Sequence, residues 1–173
     1  ATAALLNEYD GAHDGRITVS ASFRGLNNAS DALITGLKGL ADQHSTMLQT
    51  HACFSYSTHD GCLSGFGVPE IERLEKLGVL DERMLLVHSG WLEPHEVAII
   101  ADRKPTLVAA PSSSMHNGYG NFIMGKLPEL MALGVNVSIG SDHACSGITD
   151  MSQEMLLVAG GYKEARMNPR VMP

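Results

Sequence analysis

Apolar and polar positions fall into blocks along the chain, and the blocks repeat. A short β-branched run, "RITVSAS" (16–22), leads through Phe23 and Arg24 into a turn. "NASDALITGLKGLADQH" follows, with cap candidates at Asn28 and Ser30 and apolar Leu33, Ile34, Leu37 and Leu40 at helical spacing. "TMLQTHACF" (46–54) predicts a second strand. After a Gly-rich connection, "VPEIERLEKLGVL" predicts a helix with Pro69 near its start, Ile71, Leu74 and Leu77 on one face, and Gly78 as its stop.

The same unit recurs in "RMLLVHSGW" with "EPHEVAIIADR". It recurs again in "PTLVAAPSSS", which leads through a loop rich in Gly and Asn to the helix candidate "GKLPELMALG". "VNVSIGSDHA" predicts a further strand, and "DMSQEMLLVAGGYKEARM" a closing helix capped by Asp150. Short strands that are apolar on both faces, separated by helices, predict a parallel sheet in an α/β protein.

Two α/β architectures fit such a pattern, a doubly wound open sheet and a (β/α)8 TIM barrel. No GxGxxG or Walker A turn occurs, so the nucleotide-binding form of the open sheet loses its signature. The strand ends favour the barrel. One ends in Thr50-His51, the next in His88-Ser89, then Pro111-Ser112-Ser113, and the last in Ser141-Asp142-His143. Polar, metal-capable residues at successive carboxyl ends are what barrel active sites are built from. The expected fold is therefore of the (β/α)8 TIM-barrel type, as a partial barrel of four to five βα units.

Composition narrows the partners. With 44% hydrophobic and 18% charged residues in 173, the chain reads as one globular segment. A net charge of -7 without a basic stripe argues against nucleic acid or an anionic membrane as partner. No apolar run approaches the ~20 residues that span a bilayer, and "ATAALLNEYDGAHDGR" lacks the pattern of a signal peptide. Cys53, Cys62 and Cys145 form no CxxC pair, which predicts reduced thiols and a cytoplasmic setting. Of eight histidines, His13, His44 and His95 read as surface residues, while His59, His116 and His143 read as loop residues near the strand ends.

The strand-end set suggests chemistry. His51, His88 and Asp142 offer nitrogen and oxygen donors that suit zinc, iron(II), cobalt or manganese, and no thiolate pair points to a structural zinc site. Such a centre lowers the pKa of water towards neutrality, and a neighbouring aspartate can take that proton and pass it to a leaving group. A lone strand-end histidine is ordinarily structural; three such residues on separate strands favour a site.

This ordered set resembles the carboxyl-side half of an amidohydrolase-superfamily barrel, in the branch of aminohydrolases and chlorohydrolases acting on N-heterocycles. The resemblance runs from about Arg16 to the end. It is carried by His88, residues 93–96, the "PSSS" of 111–114, residues 128–134, and 137–142 ending in Asp142. It implies that His51 is a metal ligand, that His88, a candidate ligand, faces the hydroxide or substrate more than the metal, and that Asp142 binds the metal and shuttles the proton. It implies substrate contacts from Ser112, Ser113 and Tyr119, with His143 beside them. The implied cofactor is one divalent ion, zinc, with iron or cobalt as alternatives. The implied reaction displaces ammonia, an amine or chloride from a small N-heterocyclic substrate.

The chain departs from the branch at two points. The branch has His-x-x-Glu where His51 is followed by Ala52, Cys53 and Phe54, and no HxH pair occurs anywhere. Two alternatives therefore stand beside the leading expectation: hydrolysis of an amide, carbamate or cyclic ureide, and a degenerate, non-catalytic binding protein. Residues 1–173 are expected to form roughly strands four to eight of a longer chain's barrel. Alone, such a half-barrel has unpaired edges that favour self-association as a homo-oligomer.

Overall fold

The computed structural model describes residues 1–142 and 150–172. The chain opens with α1 (Thr2–Tyr9) and a four-residue turn, α2 (Ala12–Gly15). Then come β1 (Ala21–Gly25), a 3₁₀ turn (Leu26–Asn28), α3 (Asp31–Gln43), β2 (Leu48–Ala52), α4 (Tyr56–Phe66) and α5 (Glu70–Lys76). β3 (Met84–His88), α6 (Pro94–Arg103), β4 (Thr106–Ala109), α7 (Pro111–Asn117) and α8 (Asn121–Met124) follow. α9 (Leu127–Ala132), β5 (Val137–Ile139) and α10 (Met151–Arg166) complete the described elements.

The five strands make one sheet in chain order, β1-β2-β3-β4-β5, and every neighbouring pair is parallel. The order never reverses, so the sheet lacks the switch point of a doubly wound fold and has the connectivity of a (β/α)8 barrel. The fold is a partial barrel of the TIM type. Its core is the layer between sheet and helices, where Leu48, Met84, Leu86 and Leu107 meet Ile34, Ile71, Leu74, Ile100 and Leu130, all at most 2% exposed. Among the described residues, no helix is long and apolar enough to cross a membrane.

Several elements differ from the pattern. The first strand is residues 21–25, not 16–22. The Gly-rich connection after β2 is a helix, α4: Ser55 accepts from the Thr58 N–H, and Thr58 returns a bond to the Ser55 N–H. That reciprocal cap outweighs the helix cost of Gly61 and Gly65, and it puts His59 on a helix instead of a loop. The "PSSS" stretch starts α7, with Pro111 at its first turn and Gly118 (φ 65°) ending it, so Ser112, Ser113 and His116 are helical. α3 keeps its predicted start, with the Ser30 hydroxyl accepting from Leu33 N–H.

Buried charges hold the layers in register. The Arg73 guanidinium donates to the Leu26 and Ala29 carbonyls and to Asp31, tying α5 to the end of β1, with its flat face 3.4 Å from the Phe66 ring. Three buried glutamates work on backbone amides. Glu70 accepts from Cys53 N–H (2.8 Å), Glu96 from Ile71 and Glu93 N–H, and Glu154 from the N–H and hydroxyl of Ser112. Glu70 fastens α5 to the turn after β2, Glu96 fastens α6 to the start of α5, and Glu154 fastens α10 to the start of α7; losing such a charge-assisted bond costs about 1.5–3 kcal/mol.

Burial pushes the Glu70 carboxyl from 4.5 up to about 7, against the lowering effect of the Cys53 amide. Between these values the unfolded chain has shed a proton that the folded chain keeps, so this group's contribution is largest near pH 4.5 and falls away towards pH 7. The loss amounts to about 3 kcal/mol. Glu70→Gln keeps an acceptor for Cys53 N–H but does not titrate. Urea denaturation across that range should show wild type losing stability relative to the variant by about that amount. A constant difference would contradict the assignment.

Candidate functional site

The carboxyl ends of β2, β3 and β5 bring His51, His88 and Asp142 together. One ligand-capable atom from each lies within 4.8 Å of the others. His51 Nε2 is 3.3 Å from Asp142 Oδ1, and His88 Nε2 is 3.6 Å from Asp142 Oδ2. The two imidazoles stack at 5.4 Å. The His88 side chain is 1% exposed, whereas His51 and Asp142 keep 22% and 15%, so the cluster opens on the His51–Asp142 side.

Backbone geometry explains the convergence. By strand alternation His88 follows Met84 and Leu86, both fully buried in the core. At His88 φ is 81°, and at Ser89 it is 49°; the strand stops alternating there and the imidazole reaches His51. Cys53 (φ 52°) and Asp142 (φ 65°) also have left-handed backbone. Such residues store of order 1–3 kcal/mol each and persist where surrounding contacts hold them. Those contacts are present: Ser89 N–H donates to the Ala52 carbonyl, Gly90 and Trp91 N–H to that of Cys53, and Cys53 N–H to Glu70. Gly90 is required for close approach, because a Cβ there would lie 2.0 Å from Asn121 Oδ1.

Hydrogen bonds set the electronic state of the cluster. His51 Nδ1 lies 3.0 Å from the Arg24 carbonyl, which can only accept. The neutral ring therefore carries its proton on Nδ1 and turns a lone pair at Nε2 towards the Asp142 carboxylate. Two acceptors facing one another at 3.3 Å repel unless positive charge lies between them, a proton or a metal ion. A carbonyl partner on the far nitrogen is also the usual support of a metal-binding histidine. Burial alone would raise the Asp142 carboxyl. The Ser113 hydroxyl at 2.6 Å, with the His88 and His51 rings, outweighs it and holds the carboxyl below its ordinary value. Two imidazole nitrogens and a carboxylate fit a divalent ion such as zinc.

The other expected residues divide. Ser113 joins the cluster through Asp142. Tyr119 stands over it, its ring 5.6 Å from His88 and 5.1 Å from Phe54, and its carbonyl takes the Trp91 indole N–H. Ser112 is tied to Glu154 on α10, and Glu154 thereby anchors the start of α7 behind Ser113. His143 lies outside the described residues. Arg24, Phe54 and Glu70 were not expected at the site. Sequence periodicity carries no signal for them, since each is placed by a bulge, a turn or a buried helix start.

Comparison with known proteins shows the family of the chain. The sequence profile of the amidohydrolase family matches residues 2–170. A 5-methylthioadenosine/S-adenosylhomocysteine deaminase of Thermococcus sibiricus is 33% identical over 141 residues, 81% of this chain and 32% of that protein. A 5'-deoxyadenosine deaminase of Methanothermobacter thermautotrophicus is 29% identical over 170 residues, 98% of this chain and 39% of that protein. Among solved structures, an adenosine deaminase from Xanthomonas campestris with bound zinc superposes with a TM-score of 0.91 at 22% identity, covering 99% of this chain and 38% of that one. The chain thus spans well under half the length of these relatives.

The hydrogen bond to Arg24 makes a spectroscopic prediction. Nitrogen-15 NMR of the zinc-loaded protein should show the His51 proton on Nδ1 and none on Nε2. An Nε2–H tautomer would contradict the geometry.

Proposed function

Because this chain belongs to the amidohydrolase family, we propose that it supplies part of the active site of a metal-dependent hydrolase, one that displaces ammonia, an amine or chloride from an N-heterocycle. The observation that carries the reading is the convergence of His51, His88 and Asp142 within 4.8 Å at three strand ends. The two relatives are named deaminases of adenosine derivatives, which supports ammonia as the leaving group. The five strands correspond in this reading to strands four to eight of the barrel.

His51 and Asp142 would hold the ion, with His88 beside them; zinc is the first choice, and iron or cobalt suit the same donors. A divalent ion there would lower the pKa of water towards neutrality. The remaining work belongs to side chains. Asp142, kept ionised by Ser113 and the two imidazoles, accepts the proton as the water oxygen bonds to the ring carbon. It then hands that proton to the departing nitrogen as the carbon–nitrogen bond breaks. His88, buried and stacked on His51, donates to the attacking water oxygen as that oxygen loses its proton to Asp142. The Phe54 and Tyr119 rings, packed against one another at 5.1 Å, form one aromatic wall beside the place of a planar substrate.

A second reading, hydrolysis of an amide, carbamate or cyclic ureide, is favoured by one observation: the residues after His51 are Ala52, Cys53 and Phe54, with no carboxylate. In that case too Asp142 serves as base and acid, and no ring nitrogen needs a second acid.

The test is metal content with turnover. Zinc-loaded protein should retain about one ion per chain, and His51→Ala or Asp142→Asn should lower metal affinity by tenfold or more and abolish turnover, of order 10³-fold. Chelation should silence the wild type, and added zinc should restore it. Full metal content and turnover in both variants would refute the assignment.

A further inference from the structure

Three residues past His51, the Phe54 ring is turned to the cluster, 5.6 Å from His88, 5.1 Å from Tyr119 and edge-on to His51 at 6.5 Å. Across the neighbouring strand, β1 pairs Phe23 with Thr50 and Gly25 with His51, so Arg24 is an extra, bulged residue. Bulges at barrel rims redirect side chains. Here the Arg24 carbonyl receives His51 Nδ1–H, and the guanidinium carbon sits 5.6 Å from the centre of the Phe54 ring. No described carboxylate pairs with that guanidinium, and no further described Asp, Glu, His or Cys joins the cluster.

We propose that Phe54 and Arg24 together select the substrate: a planar heterocycle that carries a ring carbonyl, stacked on Phe54 with its oxygen facing the Arg24 guanidinium. The proposal rests on the hydrolase reading above. When water adds to an sp² ring carbon, an electron pair must move into the ring. A ring whose only sink is a nitrogen needs an acid to protonate it, and the described wall has none. A carbonyl conjugated with the attacked carbon takes the pair onto oxygen. A guanidinium, which stays charged throughout the accessible pH range, stabilises that oxygen without proton transfer. The pair returns as the carbon–nitrogen bond breaks and Asp142 delivers the proton to the leaving nitrogen. Charge is balanced with no residue beyond those named.

Two rings test this, a 4-aminopyrimidin-2-one and 4-aminopyrimidine, which lacks the oxo group. Trp91 is the only tryptophan and its indole bonds the Tyr119 carbonyl, so its fluorescence reports binding beside Phe54. Wild type should bind the oxo ring at least tenfold tighter than the other. Arg24→Met should weaken the oxo ring about 10- to 100-fold and barely change the other; Arg24→Lys should keep part of the preference. Phe54→Glu should shift turnover towards 4-aminopyrimidine. Equal affinity of wild type and Arg24→Met for both rings, or no binding of the oxo ring by wild type, would overturn the proposal. The predicted binding preference without release of ammonia from either ring would sink the hydrolase reading and leave the selecting pair standing.

Discussion

The site depends on strands that stop being strands where their side chains must meet. A parallel sheet spaces its neighbours by roughly 4.8 Å and sends alternate residues to opposite faces, so strand geometry alone would not stack His88 on His51. The left-handed backbone at Cys53, His88 and Asp142 performs the turn. It is unfavourable locally and is held by the amide of Cys53 on Glu70, by the Ala52 and Cys53 carbonyls under residues 89–91, and by Glu154 beneath α7. Buried carboxylates in the helical layer are therefore connected to the edge where the chemistry lies.

That connection separates what was legible in the sequence from what was not. The alternation of strand and helix, the parallel sheet and the strand ends at His51, His88 and Asp142 follow from periodicity, because short apolar strands pack one face on the helical layer. α4 and α7 were hidden because their caps, Ser55 with Thr58 and Pro111 with Gly118, outweigh poor helix composition. The first strand was misplaced because "RITV" has β propensity, yet pairing with β2 begins only at Ala21. Arg24 was invisible for a related reason: a bulge is a property of two strands in register and leaves no pattern in either.

The departure at Phe54 also gains a physical meaning. In the sequence it is a missing acid. In the folded chain an aromatic ring fills that wall, with Tyr119 on one side and a guanidinium on the other. Under the proposed function, proton handling would concentrate on Asp142, and the wall would contribute stacking and fixed charge. Family membership leaves such differences open, since related barrels carry many chemistries on their loops.

Under the proposed function His51 and Asp142, with His88 beside them, would surround a divalent ion. X-ray absorption at the zinc edge of the loaded protein tests this most directly. The account predicts a shell of nitrogen and oxygen only, at about 2.0–2.2 Å, with the outer-shell scattering of imidazole. A sulfur shell at about 2.3 Å, which would move the ion to a cysteine, or an absence of imidazole scattering, would contradict it.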